Sequence, residues 1–258
     1  MRYALDVQYR GKNYAGSQIQ FENGEQIEEP TIQGELERAL CTLIIGGKET
    51  AKNNNRQIKT IFSGRTDKGV NALGQVIHFD TDEEIVASSF IYHINEILPD
   101  DISVSNLRVV PSSWHAQKTA KSRYYRYELI DRRYKQAFDG DILRVKYDLD
   151  VERMQTALNF LIGEHDFSSF KSSGTLNPSK VCTITRAEVE RQGDRILIHI
   201  EGNRFLYNMV RTIVGTLLEI EGHKLSVEKM KEILEAKDRR KAGQTVSPYG
   251  LTLMQVKY

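Results

Sequence analysis

The densest run of chemistry-bearing residues is Phe62-Ser63-Gly64-Arg65-Thr66-Asp67-Lys68-Gly69-Val70, continued by Asn71-Ala72-Leu73-Gly74-Gln75-Val76-Ile77-His78-Phe79. Glycines at 64, 69 and 74 punctuate a polar loop ahead of an apolar strand, and glycine permits angles and close approaches that other residues forbid. Gly64 and Gly69 are spaced as in a phosphate-binding P-loop. The Lys-Ser/Thr pair that such a loop needs after its second glycine is absent, with Val70 and Asn71 in its place. A carboxylate in mid-loop would also repel phosphate. On spacing alone, Asp67 reads as a turn or cap residue before it reads as a nucleophile.

A second cluster interleaves bases and aromatics: Lys121, Arg123, Tyr124, Tyr125, Arg126 and Tyr127. That pattern suits base stacking beside phosphate pairing, and taken alone it equally describes a half-buried strand. Glu164-His165-Asp166 invites a metal reading, but consecutive residues rarely converge on one ion, so a structural loop is expected there. Cys41 and Cys182 are too few for a disulfide scaffold or a four-ligand zinc site, and a reducing cytoplasm is the expected setting.

The elements that must position these residues are legible in the periodicity. Tyr3, Leu5, Val7 and Tyr9 alternate with polar or small neighbours, as in a strand with one buried face. Thr31 caps a helix through Ile32, Leu36, Leu40, Leu43 and Ile44 that Gly46-Gly47 ends. The polar stretch from Lys48 to Gln57, with Asn53-Asn54-Asn55, reads as a loop. Gln75 to Phe79 is a short strand, Ser88 to Leu98 a helix stopped by Pro99, and Val104 to Val110 a strand. Ser122 to Ile130 alternates as a strand, and Asp150 caps a helix running toward Gly163. Thr183 to Glu190 and Arg195 to Glu201 form a hairpin across Gln192-Gly193-Asp194. A long helix is expected from Phe205 to Glu219, a shorter one capped by Ser226, and a closing strand from Leu251 to Val256. The reading is α+β: two similar α/β halves with mixed or antiparallel sheets, divided as residues 1–110 and 111–258, with a cleft between them as the default place for a site.

Composition bounds the class. The 258 residues carry 36 Lys+Arg against 35 Asp+Glu, with 28% charged and 40% hydrophobic, as in a globular protein rather than a disordered chain. No apolar run approaches the roughly 18 residues of a membrane span, and no signal-like stretch precedes the alternation that begins at Tyr3. The net charge of +1 speaks against a nucleic-acid partner until it is resolved along the chain. Residues 80–106 hold seven acids and no Lys or Arg, whereas residues 111–146 hold nine bases against four acids. On charge alone this clustering equally describes two solvated faces. Were RNA the partner, local phosphate contacts rather than net charge would decide affinity, and a basic cleft lined from Lys118 to Arg133 would be expected, with the acidic stretch turned away.

Gly64-Arg65-Thr66-Asp67-x-Gly69-Val70-x-Ala72-x-Gly74-Gln75-Val76 resembles the signature of the TruA family of tRNA pseudouridine synthases. Seven further blocks resemble that family in the expected order. They are Tyr9-x-Gly11-x-x-Tyr14-x-Gly16-x-Gln18-x-Gln20, Thr31-Ile32-Gln33-x-x-Leu36-Glu37-x-Ala39-Leu40, Leu98-Pro99-Asp100-Asp101-Ile102 and Arg123-Tyr124-Tyr125-Arg126-Tyr127. Gly163-Glu164-His165-Asp166-Phe167-x-x-Phe170, Asn208-Met209-Val210-Arg211-x-Ile213-Val214-Gly215 and Ala242-Gly243-Gln244-Thr245-Val246-Ser247-Pro248-x-Gly250-Leu251-x-Leu253 complete the set. One block would be weak; eight in order are strong.

The resemblance implies the pseudouridine synthase fold and isomerisation of uridine in the anticodon stem-loop of tRNA, with no cofactor or metal. It implies that Asp67 is the catalytic aspartate, a carboxylate suited to the positive charge that develops when a glycosidic bond breaks. Tyr125 matches the tyrosine that stacks on the uracil; without the resemblance it reads as a core-facing strand aromatic in step with Tyr127 and Leu129. Arg211 matches the base that pairs with the aspartate and favours its ionised form. Arg65 matches the residue that keeps the target base extruded. Lys121, Arg123 and Arg126 are expected to contact RNA, and family precedent implies a homodimer sharing one tRNA. Ser17 stands where the family usually has Trp, Arg10 where it has Asp, Lys68 where it has a small residue, Asn71 where it has His, and Gln117 where it has Arg. These departures leave Asp67, Tyr125 and Arg211 intact and bear on which uridines are modified. The competing expectation is a non-catalytic tRNA-binding or RNA-chaperone protein on the same fold. A nucleosidase-like hydrolase ranks last, for want of a second acid.

Overall fold

The computed structural model describes residues 1–22, 25–46, 57–172 and 179–258. Gly47 and, apart from Gln57, the loop expected from Lys48 lie outside them. The chain divides into two compact units, Met1–Lys121 with Leu253–Tyr258, and Ser122–Thr252. Pro111, where the local charge changes sign, lies inside the first.

The first unit contains β1 (Arg2–Tyr9), the two-residue strands β2 (Phe21–Glu22) and β3 (Glu25–Gln26), α1 (Ile32–Ile45), β4 (Thr60–Phe62), β5 (Asn71–Asp80), α2 (Ala87–Ile97) and β6 (Ile102–Val110). β1 lies antiparallel between β5 and β6, pairing Leu5 with Ile77 and Val7 with Val104, while β4 pairs β5 through Phe62 and Ile77. Tyr3, Leu5, Val7 and Tyr9 are buried, as their alternation dictates. α1 begins where the Thr31 hydroxyl accepts the Gly34 amide at 3.1 Å and ends on Gly46 at φ 87°, a left-handed angle that favours glycine. α2 stops at Ile97 because Leu98, held extended by Pro99, leaves the helix. β5 starts at Asn71, earlier than the apolar run alone suggests, because a register shift after Val7 lets Tyr9 pair with Ala72.

The second unit contains β7 (Ser122–Asp131), β8 (Leu143–Val145), α3 (Val151–Asn159), β9 (Gly163–Asp166), β10 (Val181–Gln192), β11 (Arg195–Gly202), α4 (Met209–Gly222) and α5 (Lys229–Ala236). The strands run in the order β7-β11-β10-β9, all antiparallel, with β8 parallel to β7. The hairpin closes through the Gln192–Arg195 pair, with Gly193 at φ 64° in its turn. Asp150 caps α3 by accepting the Glu152 and Arg153 amides at 3.0 and 3.1 Å.

Three expectations are corrected here. Glu164-His165-Asp166 is not a loop but the body of β9. β10 offers Val181–Ile184 as a pairing edge, and backbone groups there bond to β9 rather than stay unpaired. α4 starts at Met209, not Phe205, because Asn208 adopts a left-handed φ of 60°; Leu206 is buried without being helical, and so extends the apolar stripe past the helix end. Ser226 does not cap α5 with its side chain. Its hydroxyl bonds the Glu228 carboxylate, and its carbonyl accepts the Lys229 amide at 3.1 Å.

The closing strand β12 (Leu251–Lys257) belongs to the first unit from Leu253 onward and pairs β5 there. At Gly74 on β5 a Cβ would come within 2.4 Å of the Met254 carbonyl oxygen, so this pairing needs glycine. No helix among the described residues is long and apolar enough to cross a membrane. The fold class is α+β, with parallel and antiparallel pairing both present.

Candidate active-site elements

Asp67 sits half-exposed on the loop between β4 and β5, and that loop is built on buried hydrogen bonds. Gln75, fully buried on β5, is the hub. Its amide oxygen accepts the Ser63 hydroxyl at 2.5 Å, and its amide nitrogen donates to the Gly64 carbonyl at 3.0 Å and the Tyr9 hydroxyl at 3.3 Å. The Tyr9 hydroxyl in turn bonds the Thr66 hydroxyl at 2.8 Å. Burial pushes the Tyr9 phenol up to about 12, so it stays protonated throughout this network.

The segment that follows the single 3-10 turn at Gly11–Asn13 grips the other side of the loop. Ser17 accepts the Thr66 amide on its hydroxyl at 2.8 Å and donates its own amide to the Thr66 carbonyl at 3.0 Å. Gly16 and Asp67 form an antiparallel bridge, with Gly16 at φ 135°. Beyond Asp67 the chain turns: the Val70 amide donates to the Asp67 carbonyl at 3.1 Å, and Gly69 adopts φ 83°. Gly69 donates to the Gly11 carbonyl at 3.2 Å, and Gly11 donates to the Asn71 side chain at 2.9 Å. A Cβ on Gly11 would lie 2.1 Å from the Val70 carbonyl oxygen, so the two backbones touch directly. The turn role read from spacing is therefore real, and Asp67 as a whole is half-buried there. Arg65 is exposed and donates to the Gln18 side chain; Lys68 is exposed and pairs with Glu29 at 2.6 Å.

In the second unit Tyr125 and Arg211 stand on regular elements. Tyr125 lies on β7 opposite Ile200 of β11, on the same face as Tyr127 and Leu129, and is 9% exposed. Its ring packs edge-to-face against Phe205 with centroids 5.1 Å apart. Tyr127 below it is fully buried and donates to the Ser247 carbonyl at 2.9 Å. Burial raises its phenol well above the usual range, and the nearby Arg211 charge opposes that rise.

Arg211 occupies the first turn of α4. It donates to the Asn208 side chain at 2.7 Å and to the Val246 carbonyl at 2.8 Å, so the left-handed Asn208 and the segment after Gly243 both fix its direction. α4 meets that segment backbone to backbone. A Cβ on Gly215 would lie 1.7 Å from the Gln244 carbonyl oxygen, and Gly243 donates to the Thr216 hydroxyl at 3.0 Å.

The basic-aromatic cluster is divided between faces. Arg123 shares the Tyr125 face by alternation and donates to the Asn203 carbonyl at 2.9 Å. Arg126 and Tyr124 point to the other face, where Arg126 lies opposite His199 and the Tyr124 hydroxyl bonds His199 Nδ1 at 2.6 Å. Lys121 is exposed just ahead of the strand. Among the described residues no cluster of His, Cys, Asp or Glu could hold a metal ion; His165 bonds the Ile162 carbonyl and Asp166 accepts from Ser168. Ser63 and Gln75 lie in the glycine-spaced run and Ser17 at a departure from the family pattern, and none of the three is assigned a positioning role by the sequence. The one available signal was their polarity amid buried neighbours, and polarity names no partner.

A family model described as tRNA pseudouridine synthase matches residues 157–258. Similarity to curated proteins covers the whole chain. A tRNA pseudouridine synthase A from Anoxybacillus flavithermus is 40% identical over 257 residues, covering 100% of this chain and 98% of the relative. The protein of that name from an Exiguobacterium species is 42% identical, with 100% and 98% covered, and that from Shouchella clausii is 41% identical, with 100% and 93% covered. A chain in the crystal structure of a Cbf5-Nop10-Gar1 complex matches at TM-score 0.35 and 11% identity, over 84% of this chain and 53% of that one, a likeness too slight to carry an argument.

Proposed function

The chain belongs to the tRNA pseudouridine synthase A family, and we propose that it isomerises uridine to pseudouridine in the anticodon stem-loop of tRNA with Asp67 as its catalytic carboxylate. The observation that carries the assignment is the setting of Asp67. Its loop is pinned from both sides by hydrogen bonds, yet Asp67 is not fully buried, as a residue that must meet a sugar requires.

The reaction balances without a cofactor. The C1′–N1 bond breaks with its electron pair passing to the uracil. After the base turns, C5 supplies the pair for a new C1′–C5 bond, loses its proton, and N1 gains one. Positive charge develops at the ribose as the first bond breaks, and the Asp67 carboxylate stabilises it, captures it, or removes a ribose proton. Tyr125 stacks on the uracil and assists loss of the C5 proton. Arg211 keeps Asp67 ionised. Arg65 holds the target nucleotide out of its stack, and Lys121, Arg123 and Arg126 neutralise phosphates. The enzyme acts as a homodimer in the cytoplasm.

The test is tritium release from unmodified tRNA carrying [5-³H]uridine, without added metal or nucleotide. Release by the wild-type protein is the expected result. Silence accompanied by tRNA binding would transfer the assignment to a non-catalytic RNA-binding protein.

A further inference from the structure

We propose that Ser17 is a positioning residue for the Asp67 carboxylate, an inference that rests on Asp67 being the catalytic group. Ser17 is only 1% exposed, and it holds Thr66 at two points. Its hydroxyl accepts the Thr66 amide at 2.8 Å, and its amide donates to the Thr66 carbonyl at 3.0 Å. The first bond orients the peptide plane before Thr66. The second orients the plane between Thr66 and Asp67, whose other end is the Asp67 nitrogen. Two successive peptide planes are thereby fixed, and with them the point from which the carboxylate departs.

Ser17 is itself anchored. Its carbonyl accepts the Gln33 amide at 3.0 Å, and the preceding Gly16 carbonyl accepts the Ile32 amide at 3.3 Å. The clamp therefore refers Asp67 to the first turn of α1. Tyr9 completes it from the far side through the Thr66 hydroxyl. Thr66 is 6% exposed, so without the Ser17 hydroxyl its amide would be buried with no acceptor. Relief comes from rotation of that peptide, which swings Asp67. Gly16 lies against the same peptide, since a Cβ there would approach the Thr66 carbonyl to 3.1 Å.

Three readouts test this together: the single-turnover rate of tritium release at saturating enzyme, the Kd for the same tRNA, and circular dichroism to verify folding. Ser17→Ala is expected to slow the chemical step roughly tenfold while leaving Kd within about twofold, because misplacement costs rate rather than affinity. Ser17→Thr, which keeps the hydroxyl, is expected to recover most of the rate. A Ser17→Ala rate within about twofold of wild type would overturn the proposal.

The added methyl of threonine could itself impair folding, so Tyr9→Phe supplies a second arm. Both residues act through Thr66, and their effects on rate are expected to be non-additive in a double-mutant cycle; simple additivity would also overturn the proposal. Asp67→Asn separates the two levels. If that variant keeps the wild-type rate, the catalytic assignment fails and the Ser17 role falls with it. If it is silent while Ser17→Ala is fully active, only the Ser17 role fails.

Discussion

The Asp67 loop and the Tyr125–Arg211 region position their side chains by different means. The loop has no repeating backbone ladder of its own, so its shape depends on individual bonds made by Ser17, Gln75, Tyr9 and Gly11. Tyr125 and Arg211 stand on a strand and a helix packed on apolar residues, and hydrogen bonds to Asn208 and Val246 then fix the Arg211 side chain. Both regions share one device, a glycine at which two backbones touch: Gly11 against Val70, and Gly215 against Gln244. A loop built from single bonds places one atom accurately and fails when any bond is lost. An element built on periodic packing tolerates such losses and fails when its volume changes.

Four expectations press on that contrast. The largest effect is expected at Asp67→Asn, which should abolish tritium release by roughly 10³-fold or more while tRNA binding stays within about twofold. An active Asp67→Asn enzyme would remove the loop's claim to the chemistry.

Next come the paired glycines. Gly215→Ala should destabilise the second unit by about 3 kcal/mol, read by calorimetry, because neither backbone can retreat without opening α4. Gly11→Ala, with its Cβ 2.1 Å from the Val70 oxygen, should lose most activity well below its melting temperature. If Gly11→Ala instead lost stability as Gly215→Ala does, the contrast between loop and helix would not hold.

Arg211→Ala should lower the turnover rate about a hundredfold, equivalent to about 2.7 kcal/mol, with a much smaller change in tRNA affinity. An unchanged rate would place Arg211 outside the chemistry and leave its bonds to Asn208 and Val246 as purely structural.

The smallest effect concerns pH. His78 is buried on β5, with Nδ1 accepting the Ala116 amide at 3.2 Å, and burial, aided by the Arg2 and His115 charges, pushes it down to about 4. Its folded pKa lies below that of the unfolded chain, so the unfolded state takes up the proton first. The stability it confers is complete above pH 6.5 and is lost as the pH falls toward 4, by on the order of 2 kcal/mol. Urea unfolding at several pH values should show this loss, and His78→Gln should shrink it. A flat profile between pH 6.5 and 4 would contradict a neutral, buried His78.

Local rules made much of this fold legible. The alternation of Tyr3 to Tyr9, the Thr31 and Gly46 caps and the Gly193 turn are interactions within a few residues, so their sequence signs survive folding unchanged. Where such signs misled, a partner from elsewhere had intervened. β9 exists because the edge of β10 was available to it. The apolar stripe of α4 overran its true start because Leu206 is buried by the tertiary fold while Asn208 is held out of the helix. The three-residue strands β4 and β8 carry too few residues to show a period, and only their pairing with β5 and β7 reveals them.

The functional residues divide in the same way. The sequence by itself determined which groups are present: a carboxylate among spaced glycines, a tyrosine in a basic-aromatic strand, an arginine against an apolar helix stripe, and the family in which they occur together. Only the tertiary structure decided that Ser17, not a nearer neighbour, grips Thr66, and that Gln75 is the hub beneath the loop. Residue types follow from the chain, whereas a hydrogen bond needs two groups to arrive at one place. For Ser17 and Thr66, 49 positions apart, that arrival is set by packing around both of them.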